Sequence, residues 1–571
     1  MATRMDRVYH KIFNSLDTNI HKSFTAQTNY FENAIKNESS LTEYEKNLLL
    51  QGVYISHNII RFENSVEKQK CNICQNWYRA IQYCEFCIRK YLVNNFGNWT
   101  SGNDEIDKLI QKCQQKTMAP CFIIEWIEYD RFVDVKYLAK GGCATIYTAI
   151  LKDGHYCEWN SERQILERFG MQSIVLKRLN SSNSNNVHWV QEITLSFILG
   201  NTLACLAACY GLTKDPSTQD YMLVLNYYDN DLRHFLKDNY HSLTLLQKYK
   251  IIIYTTNSLR RIHEQNIIHR DLHSGNILYN SLSETWHISD LGLSGPVDKQ
   301  LGSIYGNLPY IAPELLCKKN YTTKSDVYSL GIIMWEVITG ETPFDDYEHD
   351  FKLALDIVEG CRPKIYEYIP HEYATLMKRC WDANPDNRPD AYTINYKLEP
   401  LLELLYNEMD KQQEPTFQSN SSKSNFFHSS LTKIKSSQKI KTSKVYTFNI
   451  SAQPRNATEE EQEAYETKQF DFKISDEIEQ LFLNNVDDKV DQEYGLSVPL
   501  LHLAHETKQF DFEISEEIEQ LFLNNVDDKV YQEYGLSVPL LHLAHETKQF
   551  DFEISEEIEH LFLNNVDDKG N

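Results

Sequence analysis

The sequence predicts an α+β molecule, and three observations carry that expectation. Alternating strand-like and helix-like segments run from about Arg131 to Tyr406. Within them the block His269-Arg270-Asp271-Leu272-His273-Ser274-Gly275-Asn276 is followed, fourteen residues on, by Asp290-Leu291-Gly292. Behind them the chain repeats itself with a period of 40 residues from Glu466. At 571 residues the chain is too long for one core. It divides into a helical region over 1–66, a cysteine knuckle over 67–95 and a globular body over 131–405. A Ser/Lys-rich linker over 406–460 and acidic, largely disordered repeats over 466–571 complete it.

The net charge of −24 is not spread evenly. The repeat copies starting at Glu466, Glu506 and Glu546 carry −6, −7 and −6, which leaves −5 for everything ahead of them. The acidity belongs to the tail and says little about the partners of the body. Thirteen cysteines, four clustered and the rest scattered, read as reduced thiols rather than a disulfide framework. The start, MATRMDRVYHKIF, has no apolar core of signal-peptide length, so no secretory signal is expected. The least polar run, Leu195–Leu212, is broken by Asn201 and Thr202 and reads as a buried helix-to-strand segment. A soluble, cytoplasmic protein is the expectation.

In chain order, Ser40-Leu41-Thr42-Glu43 is a capping-box start, and Leu48, Leu49, Val53 and Ile60 follow at helical spacing, interrupted by Ser56. Cys71-x-x-Cys74 and Cys84-x-x-Cys87 stand close enough to hold four thiolates around a structural Zn²⁺; four unrelated buried cysteines are the other reading. Residues 411–455 are rich in Ser, Asn, Gln and Lys, which predicts a solvated linker, with contact to an acidic surface the alternative. In the first repeat, Ile478, Leu481 and Phe482 share one side of a short helix that Ser475 can cap, with Ile474 just ahead. Such a helix is marginal alone and must be buried against a partner. A multivalent docking array with an unknown partner and a recent duplication without function remain equal readings.

The block around Asp271 carries the chemistry. Phosphoryl transfer needs a carboxylate beside the attacking hydroxyl and further oxygen ligands on Mg²⁺, and Asp271, Asn276 and Asp290 supply them at suitable spacing. On these motifs residues 131–405 resemble eukaryotic protein kinases. The resemblance is nearest to the tyrosine-kinase-like branch, especially fungal kinases with a cysteine knuckle ahead of the kinase domain. It implies a bilobal fold, with a β-rich lobe followed by a helical lobe.

What the resemblance implies can be placed residue by residue. Leu138 to Tyr147 occupies the place of the glycine-rich loop, but only Gly141 of three signature glycines remains, with Ala139 and Ala144 at the outer positions. Looser nucleotide binding follows. Lys177, ending Ile174-Val175-Leu176, is the phosphate-pairing lysine, and Glu192 its carboxylate partner. Val175 narrows the adenine slot, which Leu138, Ile146 and Leu278 help to line. Leu225 guards the space behind the nucleotide, and Asn226 to Tyr228 form the hinge. An insertion, Lys152 to Ser173, is expected to protrude as a surface loop.

Asp271 is the expected base, and Asn276 and Asp290 the Mg²⁺ ligands. His273 stands where many Ser/Thr kinases have lysine and compensates less charge. Ser303 and Tyr305, then Ser294, are candidate phosphorylation sites near Arg270, or else ordinary loop hydroxyls. Glu314 and Arg388 are expected to form a buried ion pair, and Asp326 to anchor the catalytic loop.

The leading expectation is therefore an ATP- and Mg²⁺-dependent protein kinase acting on Ser/Thr hydroxyls of protein substrates in intracellular signalling. Neither nucleic acid nor a membrane is expected as a partner. A nucleotide-binding scaffold with a docking tail is the alternative, motivated by Ala139, Ala144, His273 and Asn307.

Overall fold

A computed structural model describes residues 4–64, 67–140, 144–180, 182, 188–200, 206–296, 304–411, 443–446, 448 and 450–465. The acidic repeats and Gly141 therefore lie outside the described residues.

A six-stranded sheet forms the first lobe of the body, in the order Glu125–Trp126, Cys209–Lys214, Tyr221–Asn226, Gln172–Leu179, Ala144–Leu151, Phe132–Lys140. Neighbours are antiparallel except Glu125–Trp126, which runs parallel to Cys209–Lys214. Alternation puts Ile174, Leu176, Met222 and Val224 on one face and Leu179, Leu212 and Leu223 on the other. The helix His188–Gly200 covers the second face through Ile193 and Phe197, and the helix Asp104–Lys116 packs there through Ile106, Ile110 and Cys113. The sheet thus starts at Glu125, ahead of the expected boundary at Arg131. That two-residue strand is too short to leave a periodic signal.

The second lobe is helical around one large core. Its centre is Thr323–Thr339, buried from Ser325 through Thr339 and flanked by Leu245–Glu264 and His371–Cys380, with Ala391–Lys411 packed on Leu245–Glu264. A capping box of Thr244 with Gln247 starts Leu245–Glu264. The segment Leu195–Leu212 is helix and then strand, as its composition suggests, with 201–205 outside the described residues. Among the described residues no helix is long and apolar enough to cross a membrane.

Three expectations need correction. The capping box of the third N-terminal helix, Glu43–Asn64, is Thr42 with Glu45 and not Ser40 with Glu43. Glu45 N–H donates to Thr42 Oγ1 at 3.3 Å, and Thr42 N–H to Glu45 Oε2 at 2.7 Å. The helix runs through Ser56, which is buried.

The insertion Lys152 to Ser173 is not a protruding loop. Its strands Tyr156–Asn160 and Ile165–Arg168 pair as a hairpin whose Trp159 and Leu166 pack against Ile88, Leu92 and the cysteine cluster. Those two apolar side chains alternate onto one face, and burying them outweighs the freedom of a loop.

The linker expected over 406–460 is structured at both ends. The helix continues to Lys411, and the described residues between 443 and 465 lie along the helical lobe, with Tyr446 and Ile450 in its core. The interval 412–442 is outside the described residues.

Candidate active site

The loop carrying Asp271 is held by the start of the central helix of the second lobe. Asp326 accepts the backbone N–H of His269 at 2.8 Å and of Arg270 at 2.9 Å, and its Oδ2 also meets His263 Nε2 at 2.8 Å. Arg270 at φ 71° and Asp290 at φ 60° are in the left-handed region, a conformation that surrounding bonds must enforce. Farther along the loop, Ser274 Oγ donates to Glu336 Oε1 at 2.8 Å, and Tyr310 OH to Glu336 Oε2 at 2.7 Å. Arg388 grips Glu314 with two bonds of 2.8 and 2.7 Å in a buried pair.

The hairpin Ile277–Asn280 with Thr285–Ile288 sets the relation of Asn276 to Asp290. Ile277 pairs with Ile288, and Ser289 N–H donates to Asn276 O at 2.8 Å, so the two metal-ligand candidates leave the hairpin side by side. Asn276 Nδ2 donates to Asp271 O at 2.9 Å, which turns its amide oxygen the other way. The Asp290 side chain remains 46% exposed to the cleft. Two hard oxygen donors side by side, Asp290 exposed and Asn276 buried, suit Mg²⁺.

Lys177 lies at the middle of the sheet, opposite Ile146 on one neighbouring strand and Leu223 on the other. Its Nζ is 2.5 Å from Glu192 Oε1 and 2.7 Å from Asp290 Oδ1, so helix, sheet and metal-site segment meet at one ammonium. Burial opposes that charge, but the carboxylates of Asp290 and Glu192 outweigh it and raise the lysine above its ordinary value. Burial likewise acts to raise Asp290, yet the Lys177 charge and hydrogen bond and the Gly292 N–H hold it at about 2. Glu192 is raised by burial against the pull of Lys177.

Asp271 behaves differently. Burial pushes its carboxyl up to about 7, opposed by the Ser443 hydroxyl and reinforced by the Asp290 charge. Ser443 Oγ donates to Asp271 Oδ1 at 2.9 Å and lies 3.2 Å from His273 Nε2. His273 is held down at about 3 by burial and then by the Arg233 charge, so the ring is neutral. The Gly275 N–H donates to His273 Nδ1 at 3.0 Å, which leaves the proton on Nε2, facing Ser443. The lower charge compensation expected of His273 goes further than the sequence suggested, because burial removes its charge.

Around the cleft, Val175 pairs with Leu225 across the central strands, and both side chains are half-buried beside half-buried Ile146. Leu138 is 54% exposed on the strand Phe132–Lys140. Leu278 sits on the floor, opposite Asp231 and His287. The Asn226 side chain is turned into a cluster where it accepts from Tyr210 OH at 3.1 Å, and Tyr228 OH accepts Ala208 N–H at 3.0 Å. These two side chains brace the segment, whose Asn226 N–H donates to Ala208 O at 2.9 Å.

Two of the three candidate phosphorylation sites are described. Ser294 is buried and donates to His269 O at 3.1 Å, which corrects its assignment as an accessible loop hydroxyl. Tyr305 is half-buried in a strand, and Ser303 lies outside the described residues.

The sulfur atoms of Cys71, Cys74, Cys84 and Cys87 all lie within 4.8 Å of one another, with Cys71–Cys87 at 3.6 Å and Cys74–Cys84 at 3.5 Å. A tetrahedron of 2.3 Å Zn–S bonds has edges of about 3.8 Å, so the donor set fits. The Cys71 thiol is brought down to about 7, against burial, by backbone N–H groups of Cys74 and Ile73 and neighbouring thiols.

Sequence reasoning missed Ser443. It stands at the end of a polar, lysine-rich stretch, and the available signal was the alternation of Tyr446, Phe448 and Ile450 just behind it.

Residues 135–398 match the family model described as protein tyrosine and serine/threonine kinase. The chain is similar to the Dictyostelium discoideum protein named "Probable LIM domain-containing serine/threonine-protein kinase", 26% identical over 312 residues that cover 53% of this chain and 47% of that protein. It is also similar to serine/threonine-protein kinase mos of Patiria pectinifera, 29% identical over 186 residues covering 31% and 53%. Stress-activated protein kinase alpha of Dictyostelium discoideum is 31% identical over 207 residues covering 33% and 32%. The chain spans about half or less of the length of these curated relatives.

Proposed function

We propose, on the premise that residues 135–398 form a protein kinase domain, that the chain transfers the γ-phosphate of ATP to serine and threonine hydroxyls of protein substrates. The observation that carries this reading is the closed set of Lys177, Glu192 and Asp290 beside a catalytic loop whose Asp271 already receives a serine hydroxyl. In this reading Asp271 orients the acceptor and takes its proton, and Lys177, steadied by Glu192, pairs with the α- and β-phosphates. Asn276 and Asp290 hold Mg²⁺, which neutralises charge on the phosphates when bound. Val175, Ile146 and Leu278 sandwich adenine, Leu225 closes the slot behind it, and the backbone of Asn226 to Tyr228 supplies hydrogen bonds. Leu138 and Gly141 cover the phosphates.

The scaffold alternative rests on Ala139 and Ala144, but the relatives carry serine/threonine kinase names and the lysine–glutamate pair is made. Placement in the tyrosine-kinase-like branch, near fungal kinases with a cysteine knuckle, is supported by the thiol cluster ahead of the domain. That cluster holds a structural Zn²⁺ in this reading. The repeats serve as a docking array for a partner protein, and the site of action is the cytoplasm.

Incubation of the full chain with ATP, Mg²⁺ and a degenerate Ser/Thr/Tyr peptide mixture tests the activity. Wild type is expected to label Ser/Thr peptides, and Asp271→Asn to lose at least a hundredfold of the rate, the lower range for removing a positioned base. Equal labelling by both proteins sinks the proposal.

A further inference from the structure

A segment of the chain itself occupies the groove beside the proposed base. Lys444–Tyr446 adds as an antiparallel strand to Ile304–Gly306, with Ile304 opposite Tyr446, Tyr305 opposite Val445 and Gly306 opposite Lys444. Strand addition fixes the register of an incoming chain through main-chain bonds, and with it the position of the next side chain. Here that next side chain is Ser443, whose hydroxyl donates to Asp271 Oδ1 at 2.9 Å. The neutral His273 presents its Nε2–H to the same oxygen at 3.2 Å. One lone pair and the proton are thus committed, and the hydroxyl is aimed by the two groups that a phosphoacceptor would meet.

The segment is anchored, not merely adjacent. Tyr446 and Ile450 are buried in the core of the helical lobe, and Phe448 stacks edge-on against Phe351. Arg455 N–H donates to Val358 O at 3.1 Å, and Asn456 Oδ1 accepts Ala383 N–H at 2.9 Å. Gln462 makes two bonds to the backbone of Arg362, of 3.3 and 2.7 Å. Gly360, at φ +105°, lets the segment pass: a Cβ there would stand 2.2 Å from Ala457 N. With its anchor only a few residues away, Ser443 faces Asp271 at an effective concentration on the order of millimolar, above ordinary peptide levels.

We propose that Ser443 is the chain's own phosphoacceptor, phosphorylated in cis, and that the strand Lys444–Tyr446 closes the acceptor groove until that transfer has occurred. The inference rests on the kinase reading above. In the step, Ser443 Oγ bonds to the γ-phosphorus of ATP while the bond from that phosphorus to the β–γ bridging oxygen breaks. The hydroxyl proton passes to Asp271, and ADP leaves. The product carries roughly −1.5 to −2 charges beside the carboxylates of Asp271 and Asp290, and like-charge repulsion expels the strand and opens the groove.

The test uses full-length protein with ATP and Mg²⁺, phosphate mapped by mass spectrometry, and peptide phosphorylation followed in parallel. Expected are phosphate on Ser443 with a rate constant unchanged over a dilution series, and no Ser443 phosphate on an Asp271→Asn chain mixed with wild type. Expected too is a lag in peptide phosphorylation that preincubation with ATP abolishes. In Ser443→Ala, which keeps wild-type thermal unfolding, preincubation has no effect. Ser443 left unmodified by an enzyme that phosphorylates peptide overturns this inference and leaves the kinase reading intact. A concentration-dependent rate, or labelling of the Asp271→Asn chain, overturns the cis assignment. No phosphate on either chain or peptide overturns both readings together.

Discussion

Asp271 shows how one residue's environment sets both chemistry and stability. Its folded-state value of about 7 lies well above the ordinary 3.8, chiefly because burial disfavours the charged form. The folded state therefore binds a proton more tightly than the unfolded one over that interval. The group's contribution is fully present below about pH 4 and is lost as pH rises through 7. Asp271→Asn removes the titration. Its stability is expected to match wild type below about pH 4 and to exceed it at pH 8 by about 4 kcal/mol, at 1.36 kcal/mol per pKa unit, read as a higher melting temperature. A pH-independent difference between the two proteins in calorimetry would contradict this. Lys177 makes the opposite case: its charge is secured by Asp290 and Glu192, so no titration is expected there near neutral pH. Both residues were legible from motif order, because the chemistry restricts the residue types that can stand at such positions.

At the scale of elements, the hairpin Tyr156–Arg168 and the segment 443–465 are where the sequence misled. Each reads as polar connection when averaged, because only one face carries apolar side chains. Trp159 and Leu166 disappear among Glu158, Asn160, Glu167 and Arg168, and Tyr446 among lysines and serines. The partner surfaces are distant in sequence, at Ile88 and Leu92 for the hairpin and at Leu308 and Phe351 for the segment. Arg168, bonded to Glu125 and stacked 3.8 Å over the Tyr156 ring, fixes the hairpin to the edge of the sheet. Trp159→Ala is expected to cost about 3–5 kcal/mol, the range for large aromatic truncations in a core. A denaturant midpoint unchanged from wild type would show that the hairpin does not pack as described.

Across the whole molecule, the cysteine cluster forms a bridge between distant parts. Its sulfurs share a core with Ile88 and Leu92 and with Trp159 and Leu166 of the hairpin Tyr156–Arg168. The N-terminal helices reach the far lobe as well, where His10 lies over Tyr406 at 3.7 Å. A bound Zn²⁺ would stabilise this junction, because binding free energy at such sites is folding free energy. Purified full-length chain is expected to contain zinc, and chelation or Cys84→Ser to lower its melting temperature. Metal analysis finding no zinc, with melting indifferent to chelator, would dispose of the structural ion.

The sequence by itself singled out Lys177, Asp271, Asn276 and Asp290, since they stand in an order that local motifs record. It also showed alternating strands and helices over about Arg131 to Tyr406, because strand and helix periods are local properties, while the two lobes followed from the family resemblance those motifs carry. Only tertiary structure decided what fills the groove, what the insertion rests on, and where the sheet begins. Those outcomes depend on which surfaces meet across hundreds of residues, and a side chain's period carries no record of its distant partner.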